Sequence, residues 1–448
     1  MTENREAQNM RSGTEQAQPV IAVKILKPAV SITNESLYDQ IKLTLFASEL
    51  TYAVSLMREL GRRKQLDGDS NEAALQLPMS AQEFHRIINA NPKLAVVFEG
   101  HNEDAALQFS AVDTMKERNE RNLKSMTKTL RASIRNFQEE MGEGVLAGTK
   151  EEENSSGSDA MQGSELVFFN DQADKGYREQ TEIVYGISVD RITQRVNVIF
   201  RGSRTPADWA ANKNFNGLAV PNPVKDLAQF ANDSSLPDEV YIHEGFYEYL
   251  HRNDGTDMGV FENLMPILEK HPGFSLLVTG HSLGGALASL FAVSAACRDD
   301  IPKPVQCITH AQPLVGDKSL LQSVRKLEES KHLLLLRTRN CEDGVPAVPA
   351  FSPKPRFTYT HIGMELKMYD DNRSKNIKLS KSEKKVKNFA LNFKALIKLF
   401  VIKAGKDRQR RAHSLREHFL RIEKYEKEIR SLGEKLEDVY SKTGSVIM

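Results

Sequence analysis

Residues 276–290 read LLVTGHSLGGALASL. Leu276-Leu277-Val278-Thr279 is a short apolar run of strand type, and Leu283 to Cys297 is a run of small residues that suits a helix. Between them Gly280-His281-Ser282-Leu283-Gly284 fits G-x-S-x-G. That motif requires a strand before it, a sharp turn at the serine and a helix after it, and all three are legible here. The turn forces Ser282 into a strained backbone conformation, so Gly280 and Gly284 must be small enough for strand and helix to close. The serine hydroxyl is then presented as a nucleophile, and the Leu283 backbone N–H can donate to an oxyanion formed during acyl transfer. The bland alternative is a glycine-rich strand–helix turn with no chemistry.

Outward from this turn the pattern is α/β. Ile183 to Ile187 and Val196 to Phe200 read as two strands flanking a polar turn, and Val305 to Thr309 and Leu333 to Leu336 as two more. Strands alternating with helices predict an α/β-hydrolase fold, a mostly parallel central sheet flanked by helices. Near the N-terminus, Ile41, Leu45, Leu50, Ala53 and Leu56 recur at helical spacing between Leu37 and Leu60. A charged helix is expected from Val112 to Phe137. Residues 139–165 hold eight acidic residues, one lysine and five glycines, the composition of a flexible acidic linker. The expected organisation is a disordered stretch over 1–30, an N-terminal helix within 31–64 packing on the core, and a helical insertion with linker over 65–165. The hydrolase domain follows over 166–425, then a C-terminal helix and tail over 426–448.

Charge is distributed unevenly. The formal net charge is +1, yet residues 373–411 hold 14 Lys/Arg against Glu383 and Asp407. That is a local +12, leaving −11 for everything else. A positive band on an acidic body favours an anionic surface as partner. Cys297, Cys307 and Cys341 form neither a disulfide framework nor a metal-ligand spacing, which favours a reducing, cytoplasmic setting. The first 19 residues have no apolar core of the kind a leader needs. Segment 276–297 is apolar but broken by His281 and three glycines, so it reads as strand, turn and helix and not as a membrane span.

Five ordered segments resemble the class 3, or fungal-type, lipases. VTGHSLGGALASL is similar to their elbow. Phe200-Arg201-Gly202-Ser203 followed by Asp208-Trp209 looks like their oxyanion strand and lid start, and His243-Glu244-Gly245-Phe246 resembles H-x-G-F. Gln312 to Asp317 resembles Q-P-x-V-G-D, and Asp343-Gly344-Val345-Pro346 is similar to D-x-V-P. The resemblance implies a lipid ester hydrolase. It also implies an oxyanion donor at Ser203, beside Leu283, and a lid over residues 204 to about 218. Trp209, the sole tryptophan, falls in that lid, where it is either a lid residue or a core aromatic.

An α/β-hydrolase triad runs serine, then acid, then histidine along the chain. Asp343 follows the Leu333–Arg337 strand region, with Glu342 as its neighbour and competitor; the family's D-x-V-P pattern selects Asp343. Chain order permits His361, His413 or His418 as the base. By resemblance, the segment around His361 is a structural strand, and the base comes later, at the start of a C-terminal helix, which is His413 in Ala412-His413-Ser414. His418 would point into that helix's body. His281 and His243 are read as packing or supporting histidines without a proton-transfer role. The chemistry calls for no cofactor, and no residues show metal-ligand spacing.

Within the basic band, Lys384, Lys387, Lys394 and Lys398 alternate with Val386, Phe389, Phe393, Leu396, Ile397 and Phe400. That pattern suits an interfacial helix on an anionic membrane or lipid droplet. The competing readings are a core helix, a calmodulin-type target and a nucleic-acid patch, and membrane contact is preferred over nucleic acid. From Leu415 to Val439 an apolar stripe predicts one long helix, which packs on the body or pairs with a second copy in a homodimer. The sequence and the resemblance together lead to the expectation of a hydrolase of acylglycerol, phospholipid or galactolipid esters using Ser282, Asp343 and His413. A lipase-fold scaffold without turnover and an acyltransferase with the same triad are the two rival readings.

Overall fold

The computed structural model describes residues 36–91, 164–171, 183–204, 206–251, 258–349, 351–370, 376–381 and 411–444. The expected features at 1–30, Val112–Phe137, most of the acidic linker and most of the basic band lie outside these residues. So does the side chain of Trp209.

The chain opens with helix α1 (Leu37–Arg62), started by a reciprocal capping box between Ser36 and Asp39. Helix α2 (Ser70–Ala73), strand β1 (Met79–Ser80) and helix α3 (Ala81–Ala90) follow. The hydrolase core begins at β2 (Ser164–Asn170), then β3 (Tyr185–Asp190) and β4 (Arg195–Phe200). After β4 come α4 (Pro206–Lys213), β5 (Gly217–Pro221), β6 (Glu239–His243), α5 (Glu244–Leu250) and α6 (Met258–Lys270). Next are β7 (Ser275–His281), α7 (Leu283–Ala296), β8 (Val305–His310), α8 (Lys318–Glu329) and β9 (Leu333–Asn340). Strands β10 (Phe351–Pro353), β11 (Arg356–Thr358), β12 (Met364–Met368) and β13 (Ile377–Lys381) precede α9 (Leu415–Lys424), α10 (Glu426–Leu432) and α11 (Leu436–Gly444).

The main sheet has the order β1-β2-β3-β4-β7-β8-β9-β12-β13. From β4 through β7, β8 and β9 to β12, every pairing is parallel, and the edges are antiparallel. This is the α/β-hydrolase arrangement expected from sequence, with β1 and β13 at its edges.

Why the sheet is covered on both faces follows from its alternation. Leu276 and Val278 of β7 join the core beneath α6 and α7, whereas Leu277 between them joins the core beneath α1 and α9–α11. Leu333 and Leu335 of β9 face the first layer, Leu334 and Leu336 the second. Consecutive leucines point to opposite sides of a strand, so a continuous apolar run needs two apolar layers. Each such buried leucine contributes about 1.5–3 kcal/mol.

The C-terminal segment departs from the expected single helix. It bends after Lys424 and again at Gly433. The Tyr425 hydroxyl is anchored on the Tyr369 carbonyl, and the Leu37 N–H donates to the Glu434 carbonyl at 2.6 Å, so the chain turns to follow the body. Ile422, Tyr425, Ile429, Leu436 and Val439 are all buried with Leu37, Ile41 and Leu45 of α1. The stripe that suited pairing with a second copy is therefore spent inside its own chain.

Candidate active site

The elbow has the expected geometry. Ser282 lies at φ 58° and ψ −125°, between the last residue of β7 and the first of α7. Its N–H donates to the His310 carbonyl at 2.9 Å, which ties the turn to the end of β8. A Cβ on Gly280 would meet the Gly284 carbonyl oxygen at 2.3 Å, and one on Gly284 would meet the Phe200 carbonyl oxygen at 2.2 Å. Only glycine permits this closure, because the obstacles are backbone atoms that cannot swing aside.

Ser282, His413 and Asp343 come together in line. His413 Nε2 lies 3.0 Å from Ser282 Oγ, and His413 Nδ1 lies 2.9 Å from Asp343 Oδ2. The Asp343 side chain is almost fully buried, while that of His413 keeps a fifth of its surface exposed. Asp343 Oδ1 accepts the Val345 N–H at 2.9 Å, so the carboxylate cannot rotate away from the imidazole. Nδ1 facing a carboxylate carries the proton, which leaves Nε2 able to take one from the serine.

Glu342 and His361 are engaged elsewhere. Glu342 accepts from Arg421 of α9 at 2.6 Å. His361 lies in the loop before β12, not in the strand, and its Nε2 donates to the Pro346 carbonyl at 2.6 Å. Burial, with the Arg337 and Arg339 guanidiniums, holds the His361 ring well below the ordinary imidazole range. His418 is buried beside His281 and His310, and neither of its ring nitrogens has a hydrogen-bond partner among the described residues. His243 caps α5 by accepting the Phe246 N–H at 3.3 Å, and burial pushes it down to about 3. These last three are neutral, structural rings.

The two expected oxyanion donors sit on adjoining strand ends. β4 and β7 run parallel with Phe200 opposite Gly280, so the loop from Arg201 to Ser203 lies beside the turn from His281 to Leu283. Leu283 is the first residue of α7, where N–H groups have no acceptor within the helix and favour negative charge. The Ser203 hydroxyl accepts from the Asn212 side-chain amide at 2.8 Å. Behind this loop Arg201 is buried, with its guanidinium on Ser55 of α1 at 2.6 Å and on Asp208 of α4 at 3.1 Å. Asp208 also accepts the Arg204 N–H at 2.7 Å and the Tyr249 hydroxyl at 2.6 Å. Asp208, placed by sequence at the lid start, is thus a buried pin that fixes the loop carrying Ser203. Every oxygen of such a buried carboxylate needs partners, and this one has them.

Residues 197–352 match the model of the family described as Lipase (class 3). A putative lipase of Saccharomyces cerevisiae is 29% identical over 182 residues, covering 37% of this chain and 54% of the relative. Phospholipase A1-IIgamma of Arabidopsis thaliana is 30% identical over 186 residues, covering 38% and 40%.

Residues 197–352 are thus similar to the class 3 lipases.

Among solved structures, the triacylglyceride lipase of Rhizomucor miehei is similar at 20% identity with a TM-score of 0.37, covering 52% of this chain and 77% of that one. The chain spans about half the length, or less, of the curated relatives it matches. The matched segment contains Ser203, Ser282, Leu283 and Asp343. His413 and all of α1 lie outside it. Sequence reasoning singled out neither Tyr52 nor Ser55 of α1, nor Asn340. Their contacts join residues far apart in the chain, and nothing in their local spacing announces them.

Proposed function

We propose that this protein is a serine hydrolase of lipid carboxylic esters, an acylglycerol, phospholipid or galactolipid being the substrate. The observation that carries this reading is the line Ser282 Oγ, His413 and Asp343, at 3.0 and 2.9 Å. Ser282 Oγ attacks the acyl carbonyl carbon while His413 Nε2 takes the hydroxyl proton. The imidazolium so formed is stabilised by the Asp343 carboxylate. The carbonyl oxygen becomes an oxyanion that accepts from the Leu283 N–H and from Ser203, donors worth several kcal/mol each in a water-poor site. The C–O bond to the leaving alcohol breaks as His413 returns its proton to that oxygen. Water then attacks the acyl-enzyme by the same route and releases a free fatty acid.

Names of relatives agree with the substrate class, since they include phospholipases A1, a galactolipase and lipases. The test is acyl release from separate emulsions of triacylglycerol, phosphatidylcholine and monogalactosyldiacylglycerol. Free fatty acid from at least one of them, at a rate proportional to protein, is the expected result. No release and no acyl transfer from any lipid would leave a scaffold. Acyl transfer to an added alcohol without free acid would mean an acyltransferase.

The same proposal includes peripheral docking of a cytoplasmic enzyme on an anionic membrane or droplet surface through residues 373–411. Their local charge of +12 is the reason. Each basic residue close to an anionic leaflet contributes about 1 kcal/mol. Binding to phosphatidylserine-containing vesicles is expected to rise with anionic lipid content and to weaken, without vanishing, between 0.05 and 0.5 M salt (about a threefold fall in Debye length). Replacing Lys387, Lys394 and Lys398 by Glu is expected to lower activity on anionic emulsions far more than on a soluble short-chain ester. Equal losses on both substrates would contradict docking.

A further inference from the structure

The catalytic histidine precedes the cap of α9, and its backbone is held from two sides. Its own carbonyl accepts from His281 Nε2 at 2.8 Å. The carbonyl of the preceding Ala412 accepts from Asn340 Nδ2 at 2.7 Å, at the end of β9. A carbonyl can only accept, so His281 carries a proton on Nε2, which leaves Nδ1 as the acceptor in the uncharged tautomer. The group facing Nδ1 is the Tyr52 hydroxyl of α1, at 3.4 Å.

Tyr52 also reaches the other half of the site. Its oxygen lies against the backbone of Gly202, next to Ser203. A Cβ on Gly202 would lie 1.9 Å from that oxygen, so glycine there is what lets the hydroxyl approach the loop. Burial drives the phenol above its ordinary range and keeps it a neutral O–H that can donate to His281. One side chain from α1, outside the family-matched segment, therefore joins the oxyanion loop to the support of the base.

We propose that Tyr52 and His281 are positioning residues, which together hold the base and the oxyanion loop in register across the elbow. The inference rests on the hydrolase reading. Its physical content is that the His413 backbone is held through the His413 and Ala412 carbonyls by His281 and Asn340, so its orientation depends on these contacts. A misplacement of about 1 Å near reacting atoms can lower a rate by about 100-fold.

The experiment is steady-state hydrolysis of p-nitrophenyl butyrate by the full chain, with thermal melting measured on each variant. Tyr52→Phe is expected to lower kcat about tenfold, and His281→Leu about 30- to 100-fold, both with KM within about twofold of wild type. His281→Gln, whose side-chain amide can still donate to the His413 carbonyl, is expected to recover to within about fivefold of wild type. The double variant Tyr52→Phe/His281→Leu should be no more than about twofold worse than His281→Leu alone, because the two act through one chain of contacts. Wild-type kcat in a folded Tyr52→Phe would overturn the proposal, and so would a His281→Gln as impaired as His281→Leu. Should His281→Leu fail to fold, Tyr52→Phe and His281→Gln still decide. Ser282→Ala separates the two levels: activity surviving there sinks the hydrolase reading itself. Activity lost in Ser282→Ala but intact in Tyr52→Phe sinks only the positioning role.

Discussion

Ser282→Ala is expected to lower ester hydrolysis by about 10⁴-fold or more while leaving the melting temperature within a few degrees of wild type. The size follows from chemistry: without the hydroxyl no acyl-enzyme forms, and triad knockouts lower rates by several orders of magnitude. The small structural effect follows from geometry. Ser282 Oγ bonds His413 Nε2, on a ring that keeps a fifth of its surface exposed, so water can replace the serine. The positive φ of 58° is held by the closure of Gly280 and Gly284 on their neighbours, and it is no worse for alanine than for serine. Purified Ser282→Ala retaining activity within tenfold of wild type would end the assignment.

His413→Ala should be nearly as damaging, and combining it with Ser282→Ala should add little, because triad members act as one unit. His361→Ala should behave differently. Removing that ring strips the Pro346 carbonyl of a buried donor, which destabilises by about 1–3 kcal/mol and leaves turnover largely in place. The pair is informative because chain order alone admits both histidines as the base. A well-folded, inactive His361→Ala beside an active His413→Ala would reverse the choice.

The elbow was legible because a strand, a turn and a helix are each local patterns, and the motif fixes all three within fifteen residues. The parallel strands were legible for a related reason: runs such as Leu333 to Leu336 are apolar on consecutive positions, which only a sheet covered on both faces explains. Where the reading failed, the deciding contact was distant. The apolar stripe from Leu415 to Val439 is continuous at helical spacing, yet the chain breaks at Tyr425 and Gly433 to follow a surface formed by α1 and the sheet. Periodicity reports which face is apolar and is silent on whether the axis bends. Tyr52 was invisible because its partner His281 is 229 positions away. Asp208 was found by motif, but its role was not: its donors Arg201, Arg204 and Tyr249 make it a buried pin of the oxyanion loop. Asp343 over Glu342 rested on a short motif, and the separate Arg421 partner of Glu342 explains physically why neighbouring carboxylates differ.

The central claim is that Ser282 is a nucleophile activated by His413 and Asp343. It is tested most directly by reacting the full chain with a fluorophosphonate probe and locating the adduct by peptide mass spectrometry. Such a probe modifies only a serine whose proton is being withdrawn by a neighbouring base. The account predicts stoichiometric labelling of the wild-type chain at Ser282, with labelling lost in Ser282→Ala and slowed by about 100-fold or more in His413→Ala. Labelling at another serine, or none on a folded wild-type chain, would contradict it.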